Sequence, residues 1–178
     1  MDLDKALENR RSIRQYSDKK VTWSILSDIL NATTHSPSSG NVQNSRFIIV
    51  TKDDKKRQLA IASLKQMWMQ TASAIIVVCA DYSNIKTLYE ERYKELSLQN
   101  CTIAANSIML KATSHGLGTC YIGIFDKEAV SKLLKLPDHF EPVIMLTLGY
   151  PDEKSVKIGR IPLANTLFYE EFGKKRRA

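Results

Sequence analysis

The sequence predicts a single-domain, three-layer fold of the α/β or α+β class. The chain has 178 residues, of which 43% are hydrophobic and 25% are charged, and both fractions are ordinary for a folded globular domain. Short apolar runs of strand length are separated by segments with helical spacing, a pattern typical of helices packed on a sheet. The sequence shows no internal repeat and no change in composition, so we expect one domain over residues 1–178.

The amino-terminal half is predicted to form three helices and two strands. The predicted helices cover about residues 2–10, 22–36 and 53–65, and the predicted strands cover residues 47–50 and 74–80. Thr22 is a residue type that caps helix N-termini. The second helix should end before Pro37, because the residue that precedes a proline disfavours the helical conformation. The strand at 74–80 is apolar throughout, as strands buried on both faces are.

The carboxyl-terminal half is predicted to add two helices and two strands. The predicted helices cover residues 88–115, continuous or broken once, and 126–134, and the predicted strands cover residues 119–125 and 142–148. Gly116 supplies a stop for the long helix, and Asp126 caps the short one. Residues after Pro151 are rich in large apolar side chains but follow the last predicted core strand. We therefore expect this segment, which is coil or short helix at 163–172, to pack on another subunit.

The positive charge of the chain is concentrated at its two ends. The net charge is +7, with +2 in residues 1–20, +5 in residues 154–178 and zero between them. This distribution is consistent with nucleic-acid binding, with an acidic partner, or with a phosphate site assembled from both termini. The basic run at residues 174–177 is interpreted as a solvated tail.

Cysteine, histidine and hydropathy patterns exclude several other classes. The three cysteines, Cys79, Cys101 and Cys120, show no C-x-x-C spacing and the three histidines are isolated, so we expect reduced core thiols and no metal. No apolar run approaches the roughly 20 residues that span a bilayer. The acidic start of the chain lacks a signal-like apolar region, and we expect a cytoplasmic protein.

Two motifs carry candidate chemistry. In residues 10–14, with the sequence RRSIR, two guanidinium groups and a hydroxyl converge whether the segment is extended or helical. Such a group suits a phosphate, although a solvated basic turn is the alternative. The loop at residues 36–43, SPSSGNVQ, suits the polar edges of a heterocycle or polyol, or is an ordinary surface loop. Glycines at 116–118 precede a strand, which does not support a Rossmann site or a P-loop.

Taken together, these motifs resemble the nitroreductase family of FMN-dependent NAD(P)H oxidoreductases. The chain matches five motifs of the family in order. They are R-R-S-x-R at residues 10–14, an A-P-S-x-x-N-x-Q-P-W-like loop at 36–43, a long helix that runs into G-L-G-[ST]-C at 104–120, L-G-Y-P at 148–151, and R-x-P-L at 160–163. Two departures are visible. The family's Q-P-W is Gln43-Asn44-Ser45 here, and residues 81–95 show no motif. These departures bear on the substrate more than on the cofactor.

The resemblance implies an α+β, three-layer sandwich around a mostly antiparallel sheet, and a homodimer whose C-terminal segments wrap the partner around two interfacial FMN sites. The cofactor-binding residues that it implies are Arg10, Arg11, Ser12, Arg14, Ser38, Ser39, Asn41, Gln66, Tyr121, Ile122, Gly123, Ile124 and Arg160.

Carried over by position, these residues divide into four groups. The resemblance implies that the FMN phosphate is held by Arg10, Ser12, Arg14 and Arg160, with Lys157 as a further candidate. It implies that Ser38, Ser39 and Asn41 reach a flavin bound mainly by the other subunit. Residues 121–124 would line the isoalloxazine, with a Gly123 N–H near N5, and Lys65 and Gln66 would contact the ring or ribityl chain.

The activity implied is hydride transfer from NADH or NADPH through flavin N5 to a nitroaromatic, quinone or flavin acceptor, with ping-pong kinetics and no assigned catalytic side chain. Two alternatives remain. The first is a family relative that uses reduced FMN for enoate reduction, dehalogenation or flavin fragmentation. The second is a non-enzymatic module that binds nucleic acid or an acidic protein; the neutral middle of the chain and its lack of an aromatic and basic stripe argue against this. We expect no nucleic-acid and no membrane partner.

Overall fold

A four-stranded antiparallel sheet forms the centre of the molecule. The computed structural model describes residues 2–154 and 158–176. The strands β1 (Ser45–Val50), β2 (Ala74–Asp81), β3 (Gly118–Ile122) and β4 (Phe140–Gly149) lie in the order β1-β2-β4-β3. Every residue of β2 is buried, because β2 is central and both of its faces are covered by helices. This confirms the prediction made from its uninterrupted apolar sequence.

Helices cover both faces of the sheet. They are α1 (Leu3–Asn9), α2 (Trp23–Asn31), α3 (Asp53–Ala62), α4 (Ile85–Tyr89), α5 (Tyr93–Ser114), α6 (Lys127–Leu134) and α7 (Leu163–Thr166). Successive side chains of a strand point to opposite faces. Accordingly, Ile76 and Val78 of β2 pack with α2 and α5, whereas Ile75 and Val77 pack with α3 and α6. The predicted α+β three-layer sandwich is confirmed.

Several predicted element boundaries require correction. Of the two forms predicted for the long helix, the broken one is observed, and it begins earlier than predicted: α4 begins at Ile85 and ends at Tyr89, and Glu90 adopts φ 39° before α5 begins at Tyr93. Helix α3 ends at Ala62, because Leu64 and Lys65 both have left-handed φ values near 57°. Helix α2 ends at residue 31 and is followed by a 3-10 turn at 32–35. Strand β3 ends at residue 122, three residues earlier than predicted.

Other local predictions are confirmed. The side chain of Thr22 accepts a hydrogen bond from the Ile25 N–H at the start of α2, and Asp126 accepts one from the Ala129 N–H at the start of α6. All three cysteines are buried and free. None of the helices in the described part of the chain combines the length and apolar character that crossing a membrane requires.

The basic tail is less free than the sequence suggests. Lys174 and Lys175 are exposed, but Lys174 pairs with Glu171 at 2.7 Å and Lys175 donates to the Leu167 carbonyl at 3.0 Å. The Lys175 ammonium also lies 4.4 Å from the centre of the Phe168 ring. The predicted solvated tail therefore folds back on the end of α7 at Lys175, whereas the Lys174 side chain pairs with its exposed neighbour Glu171. Arg177 lies outside the described residues.

Gly118 is the point at which the amino-terminal motif packs on the sheet. A Cβ added to Gly118 would lie 2.7 to 2.9 Å from three side-chain atoms of Ile13. We expect Gly118→Ala to reduce the free energy of unfolding by about 1–3 kcal/mol, because forcing an extra carbon into a packed contact displaces its neighbours. Urea denaturation of the purified protein measures this change.

Gly159→Ala is the control for this prediction, because a Cβ there would meet no described atom within 4 Å. Its expected effect lies within about 0.5 kcal/mol, as for other exposed substitutions. Equal stabilities of the two variants would contradict the packing role of Gly118.

Candidate functional site

A basic cavity brings the two charged ends of the chain together. It has a volume of about 540 Å³ and its lining includes Arg10, Arg11, Ser12, Arg14 and Arg160. The sequence allowed three explanations for the positive charge at both ends of the chain, namely nucleic-acid binding, an acidic partner and a phosphate site. Convergence of both ends in one concave site favours the phosphate site, because a large flat basic face would suit a macromolecule better.

The arginines of this cavity are available to an anion. Among the described residues, Arg10, Arg14 and Arg160 take part in no ion pair. The Arg14 guanidinium lies 5.8 Å from the centre of the Trp68 ring. Glu8 and Glu153 also line the cavity but form no ion pair with these arginines, so an anion that binds between the guanidinium groups stabilises them.

Arg11 differs from its neighbours. Its Nη1 donates to the carbonyl oxygens of Glu8 and Arg10 at 2.5 and 2.8 Å. These carbonyls lie at the C-terminal end of α1, where a cation is favoured by the helix dipole. Arg11 thus lines the cavity, but its guanidinium also caps α1.

The motif at residues 10–14 is held in an extended conformation against the sheet edge. The Ile13 N–H donates to the Thr119 carbonyl of β3 at 2.9 Å, and Ser12 forms a parallel bridge with Thr119. Ile13 is buried, whereas Ser12 and Arg14 are exposed. Because side chains alternate along an extended segment, Ser12 and Arg14 project to the cavity side while Ile13 anchors the motif in the core.

Hydrogen bonds from side chains outside the motif also support the segment at residues 10–14. The Tyr16 hydroxyl donates to the Ile13 carbonyl at 2.6 Å, and since its single hydrogen is used there, the Thr147 hydroxyl donates to Tyr16 at 2.6 Å. Burial raises the pKa of Tyr16 well above its usual value, which keeps it protonated as the donor. The Arg14 N–H donates to Glu153 Oε1 at 2.7 Å. Arg14 is therefore fixed through its backbone, and its guanidinium forms no hydrogen bond or ion pair with the residues that the structure describes.

The loop at residues 36–43 lies on α5, away from the basic cavity. Ser36 and Ser107 are joined by a hydroxyl hydrogen bond of 2.8 Å, and Ser39 donates to Asn100. The described lining of the cavity does not include Ser38, Ser39 or Asn41. Within one chain, the structure does not bring these three predicted residues to the arginines, and their contact with a flavin held mainly by the other subunit stays a prediction.

The third predicted group, residues 121–124, lies at the end of β3 and directly after it; β3 starts beside the arginine motif. Tyr121 is 40% exposed and Ile124 is 70% exposed, so both can contact a ligand. Ile122 requires correction: its side chain is 4% exposed and packs in the core with α3 and α6, so that only its backbone can line a site. Gly123 lies about 13 Å from Thr119 at the usual rise of an extended chain, which separates the two ends of an elongated site.

Lys65 and Gln66 lie near the same end of the site. The Asp126 N–H donates to the Ala62 carbonyl at 2.8 Å, which joins the turn after α3 to the segment after β3. Lys65 is exposed and Gln66 is half-buried. Lys157 lies outside the described residues.

Burial also determines the state of the cysteine in this region. Cys120 lies in β3 near Arg14 and Ser12, and burial raises the pKa of its thiol although both neighbours lower it. The neutral thiol is a poor nucleophile. The site therefore offers cationic groups, hydroxyls and backbone donors, which bind and orient a ligand.

Sequence reasoning missed several residues of the site. Glu153 and Lys154 line the cavity, Tyr16 supports the segment at residues 10–14, and Asn44 and Asn100 hold the loop at residues 36–43. Glu153 lies two residues after the matched L-G-Y-P segment. This position is the one local signal that pointed toward Glu153.

Comparison with known proteins decides the family. A sequence profile described as "Nitroreductase family" matches residues 7–68 and 60–150. The chain belongs to the nitroreductase family. This confirms the resemblance inferred from the motifs at residues 10–14, 36–43 and 148–151.

Relatives of this nitroreductase-family chain include both named enzymes and solved structures. A provisionally named NADH dehydrogenase/NAD(P)H nitroreductase of Archaeoglobus fulgidus is 34% identical over 155 residues, covering 84% of this chain and 86% of its own. FMN reductase (NADPH) of Bacillus subtilis is 30% identical over 168 residues, covering 86% of this chain and 68% of its own. The structure of B. megaterium NfrA2 matches with a TM-score of 0.88 and 28% identity, covering 97% of this chain and 76% of that one.

Proposed function

We propose that this protein is an FMN-dependent oxidoreductase that uses NADH or NADPH to reduce a small acceptor such as a nitroaromatic, a quinone or a flavin. The observation that carries the proposal is the cavity in which Arg10, Arg14 and Arg160, drawn from both ends of a nitroreductase-family chain, meet without an ion-pair partner among the described residues. The relatives named FMN reductase and NAD(P)H nitroreductase support the same activity.

The donor set at the cavity fits the phosphate of FMN. Guanidinium groups bind phosphate oxygens in pairs and remain charged at all working pH values. Arg10, Arg14 and Arg160 supply three such groups and Ser12 adds a hydroxyl. We assign these four residues to the phosphate, with Arg11 completing the wall of the cavity.

The end of β3 and the residues directly after it fit the flavin ring. Tyr121 and Ile124 expose apolar surface, and a Cβ at Gly123 would lie 3.1 Å from the Tyr121 ring. The absence of a side chain at Gly123 lets a ligand approach the backbone closely. We assign Tyr121 and Ile124 to ring contacts, the Gly123 N–H to the N5 region, and Gln66 to the ring edge or ribityl chain.

When bound, FMN supplies hydride acceptance and donation at N5, so the protein needs no side-chain nucleophile. The residues of the chain bind and orient the cofactor. The arginines anchor the phosphate, and the extended motif at 10–14 transmits that anchorage to the sheet through Ile13 and Thr119. The acceptor and the nicotinamide nucleotide use the same exposed face in turn, which predicts ping-pong kinetics.

A homodimer completes the proposal. Large apolar side chains are exposed on α1, on α5 and throughout the C-terminal segment; they are Leu3, Leu7, Leu98, Ile103, Ile158, Ile161, Leu163, Leu167, Tyr169 and Phe172. If these side chains form one patch, it is larger than monomers usually expose. In the dimer, the C-terminal segment wraps the partner, and Ser38, Ser39 and Asn41 reach the flavin held mainly by the other subunit. The three free cysteines support a reducing compartment such as the cytoplasm.

The decisive experiment is cofactor analysis of purified protein. We expect about one FMN per chain, bound without a covalent bond, because each chain contributes one arginine cavity. Denaturation followed by chromatography should release FMN and not FAD. Colourless protein that also fails to bind added FMN would refute the proposed function.

A further inference from the structure

A buried chain of side-chain amides connects the polar loop to α5 and to the end of β2. The backbone N–H and the hydroxyl of Ser39 donate to Asn100 Oδ1 at 3.0 and 3.2 Å, and Asn100 Nδ2 donates to Asn44 Oδ1 at 2.8 Å. Asn44 Nδ2 donates to Ser97 Oγ at 2.8 Å and to the Asp81 carbonyl at 3.2 Å. Asn44 and Asn100 are each only 3% exposed. We call these two side chains the amide relay.

The ends of the amide relay fix the orientation of both amides. At one end the Ser39 N–H can only donate, and at the other end the Asp81 carbonyl can only accept. Asn100 must therefore turn its oxygen toward Ser39 and its nitrogen toward Asn44, and Asn44 must turn its nitrogen toward Asp81. Each position needs an acceptor and a donor on one short side chain, a combination that asparagine provides.

The loop that the relay holds is strained. Gly40, Asn41 and Gln43 have φ values of 54°, 56° and 47°. Residues other than glycine rarely adopt this left-handed conformation, because their Cβ comes too close to the following carbonyl oxygen. Such conformations persist where surrounding contacts determine them, and they cluster at functional sites. The bond from Ser39 to Asn100 lies directly before the first of these residues.

The relay also accounts for a departure noted in the sequence. Where the family motif has Q-P-W, this chain has Gln43-Asn44-Ser45. Asn44 supplies the middle of the relay, and the Ser45 hydroxyl donates to the Cys101 sulfur of α5 at 3.5 Å. Both replacements therefore form polar contacts with α5 or with residues bound to it, which proline could not provide through its side chain.

We propose that Asn44 and Asn100 are positioning residues that hold Ser39, Gly40 and Asn41 in the strained conformation that contacts FMN. This inference rests on the proposed function, in which this loop serves the flavin held mainly by the other subunit. Neither asparagine touches the cofactor. Both act through Ser39, whose backbone they fix to the long helix.

The test compares FMN affinity in Asn100→Ala with that in a matched control. Thr113→Val also removes a buried polar group from α5, but the Thr113 hydroxyl donates only within the helix, to the Met109 carbonyl. Fluorescence titration of apoprotein with FMN, at a temperature far below unfolding, should give a Kd raised roughly 5- to 30-fold for Asn100→Ala. Thr113→Val should lower Tm and leave Kd within about twofold of wild type.

A double-mutant cycle tests whether Asn44 acts through Asn100. Asn44→Ala should also raise the Kd, and the double variant should bind FMN about as weakly as Asn100→Ala alone, because residues of one hydrogen-bond network are not additive. Effects that simply multiply would overturn the relay.

The remaining outcomes separate this inference from the proposed function. Wild-type protein that binds FMN while Asn100→Ala binds it equally well overturns the positioning role and leaves the function standing. Wild-type protein that does not bind FMN overturns both. If Asn100→Ala does not fold, hydrogen exchange in wild-type apoprotein decides: slow exchange of the Ser39 amide supports the relay, and exchange at the rate of an unstructured chain overturns it.

Discussion

Deletion of residues 157–178 is expected to yield a chain that neither dimerises nor retains FMN. The deleted segment carries six large apolar side chains that are each more than half exposed: Ile158, Ile161, Leu163, Leu167, Tyr169 and Phe172. Burying such a side chain contributes about 1.5–3 kcal/mol relative to leaving it in water, so the deletion removes a large part of the apolar surface that the proposed dimer would bury. The deletion also removes Arg160 from the basic cavity.

A shorter deletion is the control. Removal of residues 176–178 leaves the described contacts of Lys174 with Glu171 and of Lys175 with Leu167. We expect this variant to keep both the dimer and the cofactor. Sedimentation analysis with detection at a flavin wavelength measures assembly and FMN content together. A monomeric wild-type protein that holds FMN, or a dimeric 157–178 deletion that holds FMN, would show that the C-terminal segment has another role.

Local interactions explain which parts of the fold were predictable. The caps at Thr22 and Asp126 depend on a side chain and a backbone N–H three residues later, so a short stretch of sequence contains the whole interaction. The break at Glu90 and the early end of α3 at Leu64 are different. Both involve residues other than glycine with positive φ. Tertiary contacts impose this conformation, and the residue types in these segments do not predict it.

The site was predictable where its chemistry is concentrated in one segment. The alternation of an extended chain placed Ser12 and Arg14 on one side, and the structure confirms that Ile13 points the other way. The same alternation, applied to residues 121–123, would have assigned the Ile122 side chain to the core. Asn100 was not recognised because its partner Asn44 is 56 residues distant, and an asparagine within a long helix gives no sign of a buried amide contact.

Arg14→Ala is expected to weaken FMN binding by about 1.5–3 kcal/mol, the contribution of a hydrogen bond to a charged group, which is roughly a 10- to 150-fold rise in Kd. The Arg14 side chain is exposed and makes no ion pair within the described residues. The stability of the apoprotein should therefore change little. Equilibrium titration of apoprotein with FMN measures the Kd, and thermal unfolding without FMN measures the stability.

Two further variants give this prediction its specificity. Arg14→Lys keeps the charge but cannot form the paired hydrogen bonds of a guanidinium, so its Kd should lie between those of wild type and Arg14→Ala. Arg57→Ala removes an exposed arginine from α3 and should leave the Kd unchanged, because a general loss of positive charge acts weakly through solvent. If Arg57→Ala weakened FMN binding as much as Arg14→Ala, the arginines of the cavity would act only through the overall positive charge of the protein. The phosphate would then have to be held elsewhere.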